Sequence, residues 1–359
     1  MRAFGATGTE PPKALGLSGK FARAVTVFAV PATHHPLSER APAESAAVRR
    51  QGFVPQQTLA SAVECVGVGL HSGMSVTMTI HPAGPDHGIV FRRLDVEGDA
   101  RDIPARFDRV VDTRMCTVLG NQVGVTVGTV EHLMAAFAGL GVDNARVDLD
   151  GPEVPIMDGS SAPFVFLIEC TGLEEQAAPR RVVRVLKEVS LADGPATASL
   201  APGRCLTLDC EIDFASAAIA RQALALPLVN GAFRKELSRA RTFGFLEDVE
   251  KLRAAGLARG GSLENAIVVD AGRVLNEEGL RYEDEFVRHK ALDALGDLYL
   301  AGGMVIGAFR GVRSGHDANN RLLRALFADP SAWRIDDLTI AESEAAERDF
   351  HARPGLAAE

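Results

Sequence analysis

Alternating strands, a helix, a strand and a second helix follow one another twice along this chain, and that recurrence limits the fold more than any single motif does. In the first pass Val76, Met78 and Ile80 alternate within residues 75–81, and Gly-Pro-Asp-His-Gly at 84–88 turns the chain into a strand at 89–93. A helical apolar pattern follows at 129–137, with Thr129 placed to cap its start and Gly139 and Gly141 to stop it. A strand at 144–149 and a helix at 162–170 complete the unit. In the second pass Val183, Val185 and Val189, then Leu206, Leu208, Cys210 and Ile212, alternate as strands. Residues 284–301 form the strongest helical pattern, closed by Gly302 and Gly303, before a strand at 304–310 and a helix at 317–327. The two major helices stand 157 residues apart (289 − 132). This predicts an α+β fold of two pseudo-repeated domains, each a mainly antiparallel sheet packed with helices, whose helix layers face each other. The first domain is expected at 55–178 and the second at 179–340. The second carries an insert at about 239–275 with a flexible glycine-rich run at 258–262, and a tail follows at 341–359.

Residues 1–54 differ from the rest, with seven Lys/Arg against three Asp/Glu and one short apolar run at 24–30. They read as a disordered extension or an upstream start codon chosen in error; a signal peptide is barely long enough. Whole-chain charge is −9, from 38 basic and 47 acidic residues, which argues against a nucleic-acid partner. No apolar stretch approaches the roughly 20 residues that span a bilayer. The five cysteines form an odd set with no C-x-x-C pair, which points to a reducing, cytoplasmic compartment.

Three stretches hold residue types that could carry chemistry. In residues 288–297 (RHKALDALGD), 100° per residue places His289, Asp293 and Asp297 within about 80° of one another. Leu292, Leu295, Leu298 and Tyr299 occupy a separate arc. Two readings are open: a solvated face with an i, i+4 pair, or half of a metal site, since His and Asp one turn apart can converge on one ion. A catalytic zinc needs three protein ligands and an open position. His132, on the matching helix of the other half and preceded by Glu131, is the natural third, against a surface capping pair as the plain alternative. No H-E-x-x-H occurs. Ser314-Gly315-His316-Asp317 reads either as a capping turn or as a loop presenting a general acid, with Asp297 able to hold the imidazole protonated. Residues 67–73 (GVGLHSG) read as a tight hairpin, and 239–245 (RARTFGF) as a core segment with solvated arginines.

Together these stretches resemble one family, the UDP-3-O-acyl-N-acetylglucosamine deacetylases, zinc amidases of lipid A biosynthesis. The matching segments are 67–73 (GVGLHSG), 129–136 (TVEHLMAA), 155–160 (PIMDGS), 238–245 (SRARTFGF), 273–279 (RVLNEEG), 286–297 (FVRHKALDALGD) and 314–316 (SGH). They run in family order from residue 57 to 327. The resemblance implies one zinc ion held by His132, His289 and Asp293, with Glu131 as general base and His316 as general acid oriented by Asp297. Thr242 would help stabilise the oxyanion. Phe243 and Lys290 would line the substrate site, Phe214 would lie near the uridine, and His71 would contact substrate. The insert, through Ser262, would form a hydrophobic passage for the acyl chain. The implied reaction removes the N-acetyl group of UDP-3-O-(3-hydroxyacyl)-N-acetylglucosamine, the committed step of lipid A biosynthesis, by a cytoplasmic monomer whose partner is the small-molecule substrate. Where many members carry a lysine, residues 193–197 have no basic group, so a diphosphate contact there falls to another residue. A non-catalytic nucleotide-sugar-binding relative would lack the metal set or the base, and both are present. A zinc amidase for a different acyl-sugar is the other alternative.

Overall fold

The computed structural model describes residues 28–29, 41–98, 100–229 and 231–351. Its two largest sheets share one strand order. The first runs Phe28–Ala29, Val63–Val68, Ser75–Pro82, Ala145–Leu149, Ile89–Arg93, Asp102–Pro104, and the second runs Val189–Asp193, Ala196–Ala201, Ala308–Val312, Thr207–Asp213, Arg221–Pro227. Apart from the added Phe28–Ala29 edge, each places its last strand between its second and third. Ala145–Leu149 is antiparallel to Ser75–Pro82 but parallel to Ile89–Arg93. Ala308–Val312 is antiparallel to Ala196–Ala201 and parallel to Thr207–Asp213. A parallel pair needs a long crossover, usually helical. In both halves the crossover carries a buried helix.

The helices are α1 (Ala41–Arg50), α2 (Glu131–Leu140), α3 (Ala162–Thr171), α4 (Leu246–Ala254), α5 (Glu285–Tyr299), α6 (His316–Ala328) and α7 (Ile340–His351). The two crossovers, α2 and α5, pack on each other between the sheets. Every residue of α2 from Glu131 to Ala138 is buried, and α5 buries Leu292, Leu295 and Leu298 beside its polar stripe. Contact is backbone-close because Gly296 has no side chain: a Cβ there would lie 2.0 Å from the carbonyl oxygen of Glu131. The two-domain α+β expectation is therefore met, with helices facing between the sheets.

Several local expectations are corrected. Thr129 does not cap α2; its φ of 58° takes it out of the approach, and α2 starts without a side-chain cap. Instead its hydroxyl donates to Glu153 Oε1 at 3.3 Å. Gly139 lies inside the helix, where a Cβ would meet the Phe233 ring at 1.9 Å, and only Gly141, with φ of 72°, ends it. Part of the expected disordered extension is ordered: α1 packs on Leu173–Pro179, with Val48 buried and Arg49 paired to Glu175. The run at 24–30, apart from Phe28 and Ala29, lies outside the described residues. The expected tail begins in α7, which runs to His351. The run at 258–262 is tied down rather than loose, since Gly260 N–H donates to Leu70 O at 3.0 Å and Asn265 Nδ2 to Gly260 O at 2.9 Å.

Because backbone, not a flexible side chain, opposes a Cβ at position 296, Gly296→Ala should lower unfolding free energy by about 1–3 kcal/mol. Urea unfolding with an unchanged midpoint would contradict so close a crossing.

Candidate active site

The stripe on α5 faces inward: His289, Asp293 and Asp297 are all buried, which removes the solvated-face reading. The start of α2 meets it. His132 Nε2 lies 3.5 Å from Asp293 Oδ1, and His289 Nε2 lies 3.3 Å from the same oxygen. The three ligand atoms fall within 4.8 Å of one another. Ligands about 2.0–2.1 Å from a tetrahedral zinc lie about 3.3 Å apart, so this spacing suits such an ion. Asp293 Oδ1 is buried without a hydrogen-bond partner among the described residues. Its other oxygen accepts from Lys290 Nζ at 2.8 Å, so the ammonium takes one oxygen and leaves the other free beside the two Nε2 atoms. His289 Nδ1 donates to Ala240 O at 3.0 Å, which leaves Nε2 as the lone-pair nitrogen. Burial pushes the His289 imidazole down to about 4, so at neutral pH it is the neutral form that a metal requires.

Ala240 is itself held by a buried ion pair. Arg241 is 2% exposed and Glu285, at the start of α5, 0%. The Arg241 Nε donates to Glu285 Oε1 at 2.9 Å, and Arg241 N–H donates to the same oxygen at 3.0 Å. The expectation of solvated arginines is thus corrected at Arg241. This pairing fixes the segment that delivers Thr242 and Phe243 to the site.

A cavity of about 610 Å³ opens over these atoms, lined by Glu131, His132, Thr242, Phe243, His289, Lys290, Asp293, His316 and Phe214 among others. Phe243 stands edge-on to Phe214 and Phe286, with ring centroids 5.8 and 5.0 Å away. Glu131 is buried, and that burial raises its carboxyl above the usual range, while the neighbouring His316 opposes the rise. His316 Nε2 stands 4.0 Å from Glu131 Oε1, and its Nδ1 donates to Asp297 Oδ2 at 2.8 Å. Burial disfavours the imidazolium of His316, but Asp297 and Glu131 outweigh it and raise the group to about 9. A carboxyl whose pKa is raised and an imidazole held protonated face one cavity.

Not every expected residue reaches it. Asp297 lies behind His316 rather than in the lining. His71 and Ser262 also fall outside it. The His71 backbone N–H donates to Glu153 Oε1 at 3.0 Å and Ser72 N–H to Oε2 at 2.7 Å, so Glu153 pins the 67–73 turn to the approach of α2. Ser262 N–H is bound by Asn265 Oδ1 at 2.8 Å. Sequence reading also missed Glu153, Thr117 and Asn319. Asn319, one turn beyond His316, donates to Asp297 Oδ2 at 2.9 Å, and same-face spacing on α6 was its available signal. Thr117 and Glu153 sit in stretches without period or motif.

A histidine whose folded value is raised from 6.5 to about 9 stabilises the fold below pH 6.5, and that contribution disappears as pH rises through about 9. In metal-free protein, His316→Gln should therefore cost on the order of 2–3 kcal/mol at pH 6 and progressively less towards pH 10. A penalty that grows with pH would reverse the assignment.

The sequence model of the UDP-3-O-acyl N-acetylglycosamine deacetylase family matches residues 56–328. The chain is 55% identical over 280 residues to the UDP-3-O-acyl-N-acetylglucosamine deacetylase of Myxococcus xanthus (strain DK1622), covering 78% of this chain and 88% of that protein. Its counterpart from Phenylobacterium zucineum (strain HLK1) is 53% identical over 280 residues, 78% of this chain and 96% of the relative. That from Shewanella frigidimarina (strain NCIMB 400) is 51% identical over 282 residues, 78% and 92% of the two chains. With a match spanning most of its length and relatives at this identity, the chain belongs to the UDP-3-O-acyl-N-acetylglucosamine deacetylase family.

Proposed function

We propose that this protein hydrolyses the N-acetyl group of UDP-3-O-(3-hydroxyacyl)-N-acetylglucosamine, releasing acetate, with one zinc ion held by His132, His289 and Asp293. The observation that carries this reading is the convergence of those three ligand atoms, Glu131 and His316 on one cavity. Zinc in such a site lowers the pKa of water to about 7 and polarises the amide carbonyl. The remaining work belongs to the side chains. Glu131 takes the proton from the attacking water through Oε1, its Oε2 being occupied by the Thr117 N–H at 3.0 Å. His316 delivers a proton through Nε2 to the departing amine, which is too basic to leave unprotonated. Asp297 holds His316 by Nδ1 and keeps Nε2 turned to the cavity. Thr242 offers its hydroxyl to the oxyanion, and Lys290 supplies positive charge at the cavity wall while it orients Asp293.

The substrate's parts have matching surroundings. Phe214 and Phe243 form an aromatic wall for the nucleotide-sugar end. Strand Ala196–Ala201 contributes Ala196, Thr197 and Ala198 to the lining with no basic group, while Arg114, Arg313 and Arg321 line the same cavity and take the diphosphate role. The insert at about 239–275 forms the passage for the acyl chain; its residues 258–262 are closed against the 67–73 turn by hydrogen bonds, so the passage runs beside that contact, with His71 and Ser262 at its edge. The domains divide near residue 178: Leu173–Pro179 pairs with Pro55–Leu59, whereas Arg181–Val185 pairs with Met304–Ile306 and Trp333–Asp337. Among the described residues no helix is long and apolar enough to cross a membrane. We place the enzyme in the cytoplasm as a monomer, in keeping with buried, unbridged Cys65, Cys116 and Cys210.

Acetate release from the acylated nucleotide sugar should vanish on chelation and return with about one zinc per chain. No acetate from folded, zinc-loaded protein would reject this substrate and favour another acyl-sugar amide. Glu131→Ala should keep zinc yet lose about 100-fold or more in kcat, and near-normal turnover would remove Glu131 from the mechanism. His289→Ala should lose zinc, and full occupancy in that variant would contradict its role as a ligand.

A further inference from the structure

Thr117 is the residue on which the proton-transfer groups meet, although nothing in its sequence neighbourhood marks it. It is 1% exposed, and each of its polar atoms is used. Its N–H donates to Glu131 Oε2 at 3.0 Å. Its carbonyl accepts the N–H of Val130 at 3.4 Å, tying it to the start of α2. Its hydroxyl donates to Asp297 Oδ1 at 2.5 Å and also receives His316 Nδ1 at 3.2 Å. One residue therefore grips α2, α5 and the first residue of α6.

The pattern of atoms is selective. Glu131 is held by Oε2 and His316 by Nδ1, so the atoms left over, Oε1 and Nε2, are the two that face each other at 4.0 Å. Left to themselves a buried carboxylate and an imidazolium close to a contact pair at about 2.7–2.9 Å, in which the base is neutralised by the acid. We propose that Thr117 is a positioning residue for the deacetylation, its hydroxyl setting Asp297 and through it His316, so that acid and base stay apart across the reacting carbonyl. The inference rests on the functional reading above. It adds to that reading a residue that touches no substrate and whose effect falls on proton transfer rather than on binding.

Thr117→Val keeps the volume and the backbone N–H and removes only the hydroxyl; Thr117→Ser restores it. With the zinc-loaded protein, Thr117→Val should lose about 10-fold or more in kcat with KM and zinc content unchanged, because a buried carboxylate oxygen loses its donor. Thr117→Ser should recover most of that loss. Equal kcat in Thr117→Val and the unmodified protein overturns the proposal, as does a Thr117→Ser variant as slow as Thr117→Val. A second measurement needs no substrate: the Nδ1 proton resonance of His316, identified by its absence in His316→Gln, should move in Thr117→Val and return in Thr117→Ser. A resonance that stays in place in Thr117→Val overturns the proposal as well. If the unmodified protein releases no acetate, the functional reading fails on that result alone, and the resonance decides the positioning role independently. Should Thr117→Val not fold, Thr117→Ser against Thr117→Ala carries the same comparison.

Discussion

The close crossing of α2 and α5 governs the rest of the structure. It depends on the absence of a side chain at Gly296, which lets the backbone of Glu131 rest on α5. Much of the buried ionisable cluster lies within two turns of that point: Glu131 and His132 on one helix, His289, Asp293 and Asp297 on the other. A helix pair normally stands 8–10 Å apart with side chains interdigitated. Here the approach at Gly296 brings the polar ends together without a layer of apolar side chains between them. The shared strand order explains how the two helices come to face each other, since each is the crossover of its own half and lies on the inner face of its sheet.

Such a site concentrates ionisable groups in a poorly solvated place, where each needs a partner. At Asp293, His289 and His316 the partners are distributed so that one atom is satisfied and one is left over. Lys290 takes one oxygen of Asp293, Ala240 takes one nitrogen of His289, and Asp297 takes one nitrogen of His316. The atoms left over on these three residues belong to side chains that line the cavity. Groups held in this way are oriented in advance of any ligand, which is the structural condition for electrostatic preorganisation.

Outside this centre, support comes from segments that touch no reacting atom. The Arg241–Glu285 pair joins the chain before Thr242 to the first turn of α5, so the cavity wall and the helix that carries His289 and Asp293 are one unit. Glu153 does the same for the 67–73 turn, and through Thr129 for the approach to α2. Breaking a buried pair of this kind leaves an uncompensated charge, which is why these positions belong to the site although they lie beneath it.

The repeated order of strands and helices was legible in the residue pattern, because periods of 2 and 3.6 residues are local properties of the chain. The sequence by itself also determined that His289, Asp293 and Asp297 share one stripe, since helical spacing alone aligns them. Whether that stripe met water or another helix was open from spacing alone; the packing of α5 on α2 decided it by burying all three residues. The same holds for the start of α2, where the capping role expected of Thr129 is lost to its left-handed backbone. Thr117, 180 residues from Asp297 and 199 from His316, is beyond any local period, and only the tertiary structure joins them. A periodicity states which residues of one element share a face. Which faces meet, and so which distant atoms come within hydrogen-bond reach, is set by how the two halves close on each other.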